Sequence, residues 1–195
     1  MNENKTVILF NGPPRCGKDT YANAMSKLFG DGVEIIHLAQ ILKDTTHHAL
    51  GLNVPFDYFE ENKDMPNISL YGRTPRECYI QMSESFLKPL FGNDFFIKKA
   101  VEIIRKSDKQ VFIISDCGFD EEAQYLSKQK DLSCVYIKLS REGKSFQNDS
   151  RKYIDEKFIN KSKDRCFEYF VQENRIEENT IDLYRMFQGW DEEGA

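Results

Sequence analysis

One segment decides most of what this 195-residue chain can fold into: VILFNGPPRCGKDTYANAM, residues 7–25. Gly12 through Lys18 has the G-x-x-x-x-G-K spacing of a phosphate-binding P-loop. The motif is short, but its setting is the required one, an apolar run of strand formers before it and a helical pattern after it. Gly12 and Gly17 permit close approach and unusual backbone angles. Loop amides and a helix N-terminus then face an anion, and Lys18 adds a point charge near the β- and γ-phosphates. The candidate ATP-binding residues are Gly12, Pro13, Pro14, Arg15, Cys16, Gly17, Lys18, Asp19 and Thr20, with Arg15 bridging phosphates and Cys16 acting as a backbone donor.

Asp19 departs from the pattern, because a Ser or Thr holding magnesium usually follows the lysine. A carboxylate there repels a triphosphate unless magnesium or ordered water lies between them. Asp19 is therefore expected to support magnesium through water, and Thr20 to offer its hydroxyl to a phosphate. Adenylate kinases likewise place a non-hydroxyl residue after the lysine and a Thr next. The variation points to nucleotide kinases and away from GTPases and helicases.

The remaining pattern predicts an α/β domain around a mainly parallel sheet flanked by helices, of P-loop NTPase type. Strands are expected at Val7–Phe10, Val33–Ile36, within 110–116 as the central strand, at Cys134–Leu139 and at Phe167–Val171. Helices are expected from Lys18 to the GDG at 30–32, over Gln40–Leu50, from Thr74 to Leu87, from Asn93 or Asp94 to Lys106, over Asp120–Gln129 and over Asn179–Phe187. Thr74, Pro75 and Glu77 read as an N-cap, a first-turn proline and a capping box. The stretch 51–73 has two prolines and little periodicity, and reads as a long loop. The whole chain is expected to be one domain, with an acceptor-binding excursion near 38–106 and a lid near 140–165.

Composition excludes several classes. A net charge of −5 opposes polymeric nucleic acid as a partner, since that needs a cationic surface. No apolar run is long enough for a membrane span. The five cysteines are widely spaced without C-x-x-C, which suits reduced thiols in a cytoplasm. Three histidines give no metal-ligand spacing.

Four blocks resemble the phage-type deoxynucleoside monophosphate kinases, within the nucleoside monophosphate kinase superfamily. They are GPPRCGKDTYA at the P-loop, HLAQILKD at 37–44, RTPRECYIQMSESFLKPLFGNDFFIKKA at 73–100 and VFIISDCGFDEEA at 111–123. His37-Leu38 stands where that family has an aromatic, and Cys117-Gly118 where it commonly has an arginine. The carboxy-terminal third matches loosely. The resemblance implies a magnesium- and ATP-dependent kinase that turns a deoxynucleoside monophosphate into its diphosphate in a host cytoplasm. Its partners would be small-molecule nucleotides, and a homodimer is an open option.

Such a kinase needs two phosphate sites, because its catalysis is mostly alignment and charge stabilisation. Arg73, Arg76 and the helix start at Thr74 suit the acceptor phosphate. Gln81 or Glu84 would read the base or sugar, and Lys43 matches a family lysine by motif alone. Asp116, at the end of a strand, would hold magnesium through water or touch substrate. Lys18, Arg15 and Asp116 are the candidate catalytic residues, and Arg141 and Arg151 the lid. Two alternatives stand beside this reading: another small-molecule kinase of phosphomevalonate or dephospho-coenzyme-A type, and a nucleotide-binding protein without turnover.

Overall fold

The computed structural model describes residues 4–52, 56–147, 149 and 151–193. Its strands are β1 (Lys5–Asn11), β2 (Val33–Ile36), β3 (Val111–Ile114), β4 (Leu132–Arg141) and β5 (Arg165–Val171). All pair in parallel, in the order β2-β3-β1-β4-β5. The central strand is therefore β1, with β3 beside it. The apolar run in β3 does mark an interior strand, paired with β2 and β1, but the middle place of the five belongs to β1, where Ile8 faces Ile113 and Val135. Val7 to Phe10 are fully buried, as expected of a parallel strand covered on both faces.

The helices are α1 (Lys18–Phe29), α2 (Leu38–Leu50), α3 (Phe56–Glu61), α4 (Pro75–Met82), α5 (Lys88–Phe91), α6 (Phe95–Lys106), α7 (Asp120–Ser127) and α8 (Ile176–Glu193). The chain divides into two compact units, Met1–His37 with Ala100–Ala195, and Leu38–Lys99. In the first unit, Tyr21, Ala22 and Met25 of α1 and Leu183 and Phe187 of α8 share one core with Ile8, Phe10, Ile113 and Ile137 of the sheet. Phe29 closes its rim edge-on to Tyr184 and Phe187, at 5.0 and 5.1 Å.

Several boundaries differ from the sequence reading for physical reasons. The stretch 51–73 is not structureless: α3 and a 3₁₀ turn at Ile68–Leu70 lie in it, the turn capped by Asn67. Residues 53–55 fall outside the described ones. The expected helix from Thr74 to Leu87 changes character at Ser83, where a π-helical segment runs to Leu87 before α5 continues it. α8 extends well beyond Asn179–Phe187 at both ends. The Thr74 cap is present in full: its hydroxyl accepts from the Glu77 N–H, and the Glu77 carboxylate accepts from the Thr74 N–H.

Candidate functional site

In the first unit the chain turns sharply after Asn11. Its buried side chain gathers three segments at the end of β1, donating to the carbonyls of Cys117 (3.3 Å) and Lys152 (3.0 Å) and accepting from the Ile154 N–H (2.9 Å). Gly12 must be glycine, because a Cβ there would stand 2.5 Å from the Leu139 carbonyl oxygen. Arg15 (φ 60°) and Gly17 (φ 106°) are both left-handed, the alternation that turns successive loop N–H groups toward one concavity. The Cys16 N–H donates to Pro13 O in that turn, and its buried thiol is pushed up by desolvation. Arg15 is exposed.

Lys18 lies folded over the loop, nearly buried, donating to the carbonyls of Gly12 (2.8 Å) and Pro13 (2.9 Å). Burial first, and the nearby Arg151 charge, hold its ammonium below the usual lysine range. Asp19, on the exposed side of the first turn of α1, accepts from the buried Ser115 hydroxyl at 2.6 Å. The same hydroxyl oxygen lies 3.0 Å from His37 Nδ1. Thr20 is exposed beside Asp19, and the half-buried Asp116 follows Ser115.

The two lid candidates are ordered by different contacts. Arg141, at the end of β4, donates to Glu173 at 2.8 and 3.2 Å. Arg151 is no solvated surface charge. Its guanidinium grips both oxygens of Asp149 at 2.9 and 2.7 Å, and its methylenes fill the space a Cβ on Gly118 would need, within 2.7–2.9 Å. The Asp149 bond first, then Asp116 and Glu122 more weakly, hold the guanidinium charged. Glu122 accepts the N–H groups of Gly118 (2.8 Å) and Phe119 (2.9 Å), yet its burial pushes the carboxyl up to about 7.

In the second unit a cavity of about 550 Å³ opens beside α4. Arg73, Glu77, Gln81, Met82, Ser85 and Phe86 line one side, and Thr46, Ala49 and Leu50 of α2 the other. Of the expected acceptor residues, Arg73 and Gln81 reach this cavity. Arg76 instead holds Asp64 through two nitrogens, at 2.5 and 3.4 Å. Lys43 pairs with Glu60, and Glu84 with Lys88. Ser85, one turn after Gln81, accepts from Gln81 Nε2 at 2.8 Å, so the amide expected to read a base or sugar has a side-chain partner on its own helix face. Also between α2 and α4, buried Tyr79 is hydrogen-bonded to His47 (2.8 Å), and burial pushes its phenol up to about 12.

Sequence reasoning missed Asn11, Ser115, His37, Ser85 and Phe86. Only His37 carried a signal, as a polar residue where an aromatic was expected. Among the described residues no cluster of three or more His, Cys, Asp and Glu side chains can hold a metal, and no helix is long and apolar enough to cross a membrane.

A family model described as phosphomevalonate kinase matches residues 10–132, well over half the chain. No curated protein matches. Among solved structures, dephospho-CoA kinase from Campylobacter jejuni is 14% identical with a TM-score of 0.46, covering 95% of this chain and 98% of its own. Shikimate kinase from Bacteroides thetaiotaomicron is 13% identical with a TM-score of 0.49, covering 94% and 98%.

Proposed function

Because the chain belongs to the phosphomevalonate kinase family, and so to the P-loop small-molecule kinases, we propose that it transfers the γ-phosphoryl group of ATP to the phosphate of a deoxynucleoside monophosphate. The observation that carries the acceptor class is the cavity of the second unit. It combines a guanidinium, Arg73, with the apolar side chains of Met82 and Phe86 and the amide of Gln81, beside the Glu77 carboxylate that caps α4. A guanidinium fork suits a phosphate dianion, an aromatic face suits a planar base, and an amide supplies a donor and an acceptor for its edge. The volume fits a small nucleotide.

The acceptor phosphate oxygen is anionic at neutral pH, so in-line attack needs alignment more than a general base. The P-loop holds the donor. Lys18 exchanges the Gly12 and Pro13 carbonyls for β- and γ-phosphate oxygens, Arg15 stands exposed beside them, and Arg151 adds a cation whose reach Asp149 restrains. Magnesium, when bound, neutralises phosphate charge. The residues present fit it in the manner usual for this ion, which takes its ligands from phosphates and water with one or two carboxylates. Asp19 and Asp116 would hold that water.

ADP release measured with all common ribo- and deoxyribonucleoside monophosphates, with phosphomevalonate and dephospho-coenzyme A in the same panel, tests the reading. Turnover is expected with a deoxynucleoside monophosphate. Arg73→Ala should then cut acceptor kcat/KM about tenfold to a hundredfold, the worth of a charge-assisted phosphate contact, and leave ATP affinity in place. Turnover with phosphomevalonate alone would replace the nucleotide by the acceptor that the family description names.

A further inference from the structure

We propose that Ser115 and His37 are positioning residues that fix the Asp19 carboxylate for magnesium-dependent nucleotide binding; this rests on the reading of Asp19 as a water-mediated magnesium partner. The three side chains come from the first turn of α1, the end of β3 and the end of β2, and meet at one hydroxyl. Ser115 is fully buried, so its hydroxyl has little choice of partners. An ionised carboxylate only accepts, and a hydroxyl has one proton to give. That proton therefore goes to Asp19 Oδ1, at 2.6 Å. The remaining contact, 3.0 Å to His37, then requires that Nδ1 carry a hydrogen and donate.

The consequence is a directed chain, His37 to Ser115 to Asp19, that holds an otherwise exposed side chain by one oxygen. Oδ2 stays outside that hydrogen bond. A carboxylate that acts through water gains from such anchoring, because its free oxygen must meet a hydration shell of demanding geometry. Compared with the usual P-loop, the hydroxyl has moved one step back. It supports a carboxylate and does not itself follow the lysine. The polar His37, which fits no aromatic pattern, takes its place as the residue that sets the hydroxyl's direction.

The test is calorimetric binding of a non-hydrolysable ATP analogue to the full chain, without metal and across a magnesium titration. Asp19→Asn, Ser115→Ala, His37→Phe and His37→Asn are compared with the parent. Ser115→Ala should raise the half-saturating magnesium concentration about tenfold, the usual effect of losing a partner that orients a metal-binding group. Metal-free affinity should stay unchanged. His37→Phe should shift the curve in the same direction, and His37→Asn, whose amide can donate in place of Nδ1, should restore it. The half-exposed His37 pair carries the test if Ser115→Ala does not fold. A shifted curve for Asp19→Asn with none for Ser115→Ala and His37→Phe overturns the positioning role and leaves the magnesium role of Asp19 standing. Unchanged curves for all of them, Asp19→Asn included, overturn both.

Discussion

At the scale of single residues, two side chains carry charge states with measurable outcomes. Lys18 is desolvated and satisfied by two loop carbonyls before any phosphate arrives. Lys18→Ala should therefore do two things. It should lower the chemical rate by at least about a hundredfold, as loss of a preorganised cation does, and cost about 1–2 kcal/mol of stability by orphaning those carbonyls. Single-turnover rates and a thermal melt separate the effects, and a folded variant with unchanged turnover would take Lys18 out of the mechanism. Glu122 has the opposite character. Its folded carboxyl is raised from 4.5 to about 7 by burial, so between those values the folded state keeps a proton that the unfolded chain has lost. Stability from this group is complete below pH 4.5 and falls as pH rises toward 7, by on the order of 3 kcal/mol. Urea midpoints from pH 5 to 8 should fall less steeply for Glu122→Gln than for the parent. Parallel curves would show that the carboxyl is ionised throughout.

At the scale of elements, the βα-turn tolerates little change. In Gly12→Ala the new methyl meets the carbonyl oxygen of Leu139, a backbone atom of β4 that also accepts the Tyr153 hydroxyl. The turn must shift, at a cost of about 1–3 kcal/mol, and nucleotide affinity should fall at least tenfold. Gly32→Ala, with nothing within 4 Å of the added carbon and no positive φ, is the control and should melt within about 0.5 kcal/mol of the parent. Equal behaviour of the two variants would remove the crowding at Gly12 as a cause. The turn itself, like the Thr74 cap, is legible in the sequence because its determinants lie within a few consecutive positions. The hydrogen bonds that bind Asn11 to Cys117 and Ile154, and Ser115 to Asp19, are not, and neither is the packing of the Arg151 stem over Gly118. Each joins residues far apart in the chain, and a lone Ser or Gly announces no distant partner. The π segment is also invisible, because its composition differs in nothing from that of the α-helix it interrupts.

For the whole molecule, the net charge of −5 disfavours long polyanions, and a small anion of the proposed kind would rely on the local cations of the loop and cavity. Binding to the folded state alone should raise its stability. A magnesium–ATP analogue at a hundred times its Kd should contribute about 2.7 kcal/mol, or about 5–10 °C in Tm for a chain of this size. On the proposed acceptor reading, a deoxynucleoside monophosphate added alone should also raise Tm, by an amount set by its own Kd. A flat response to the monophosphate across millimolar concentrations would argue against the cavity as its site. The sheet order has a further consequence in time. β1 carries the P-loop, yet Thr6 pairs with Val111 and Lys5 with Leu132, more than a hundred positions along the chain. During synthesis the strand that leads into the P-loop must wait without a strand partner until β3 and then β4 have been made. Closing loops of that length before any pairing is gained makes assembly slow, and it leaves an apolar segment open to chaperones or to other chains meanwhile. Nucleotide binding is thus a late event in this chain's life, available only after most of the sheet has closed around β1.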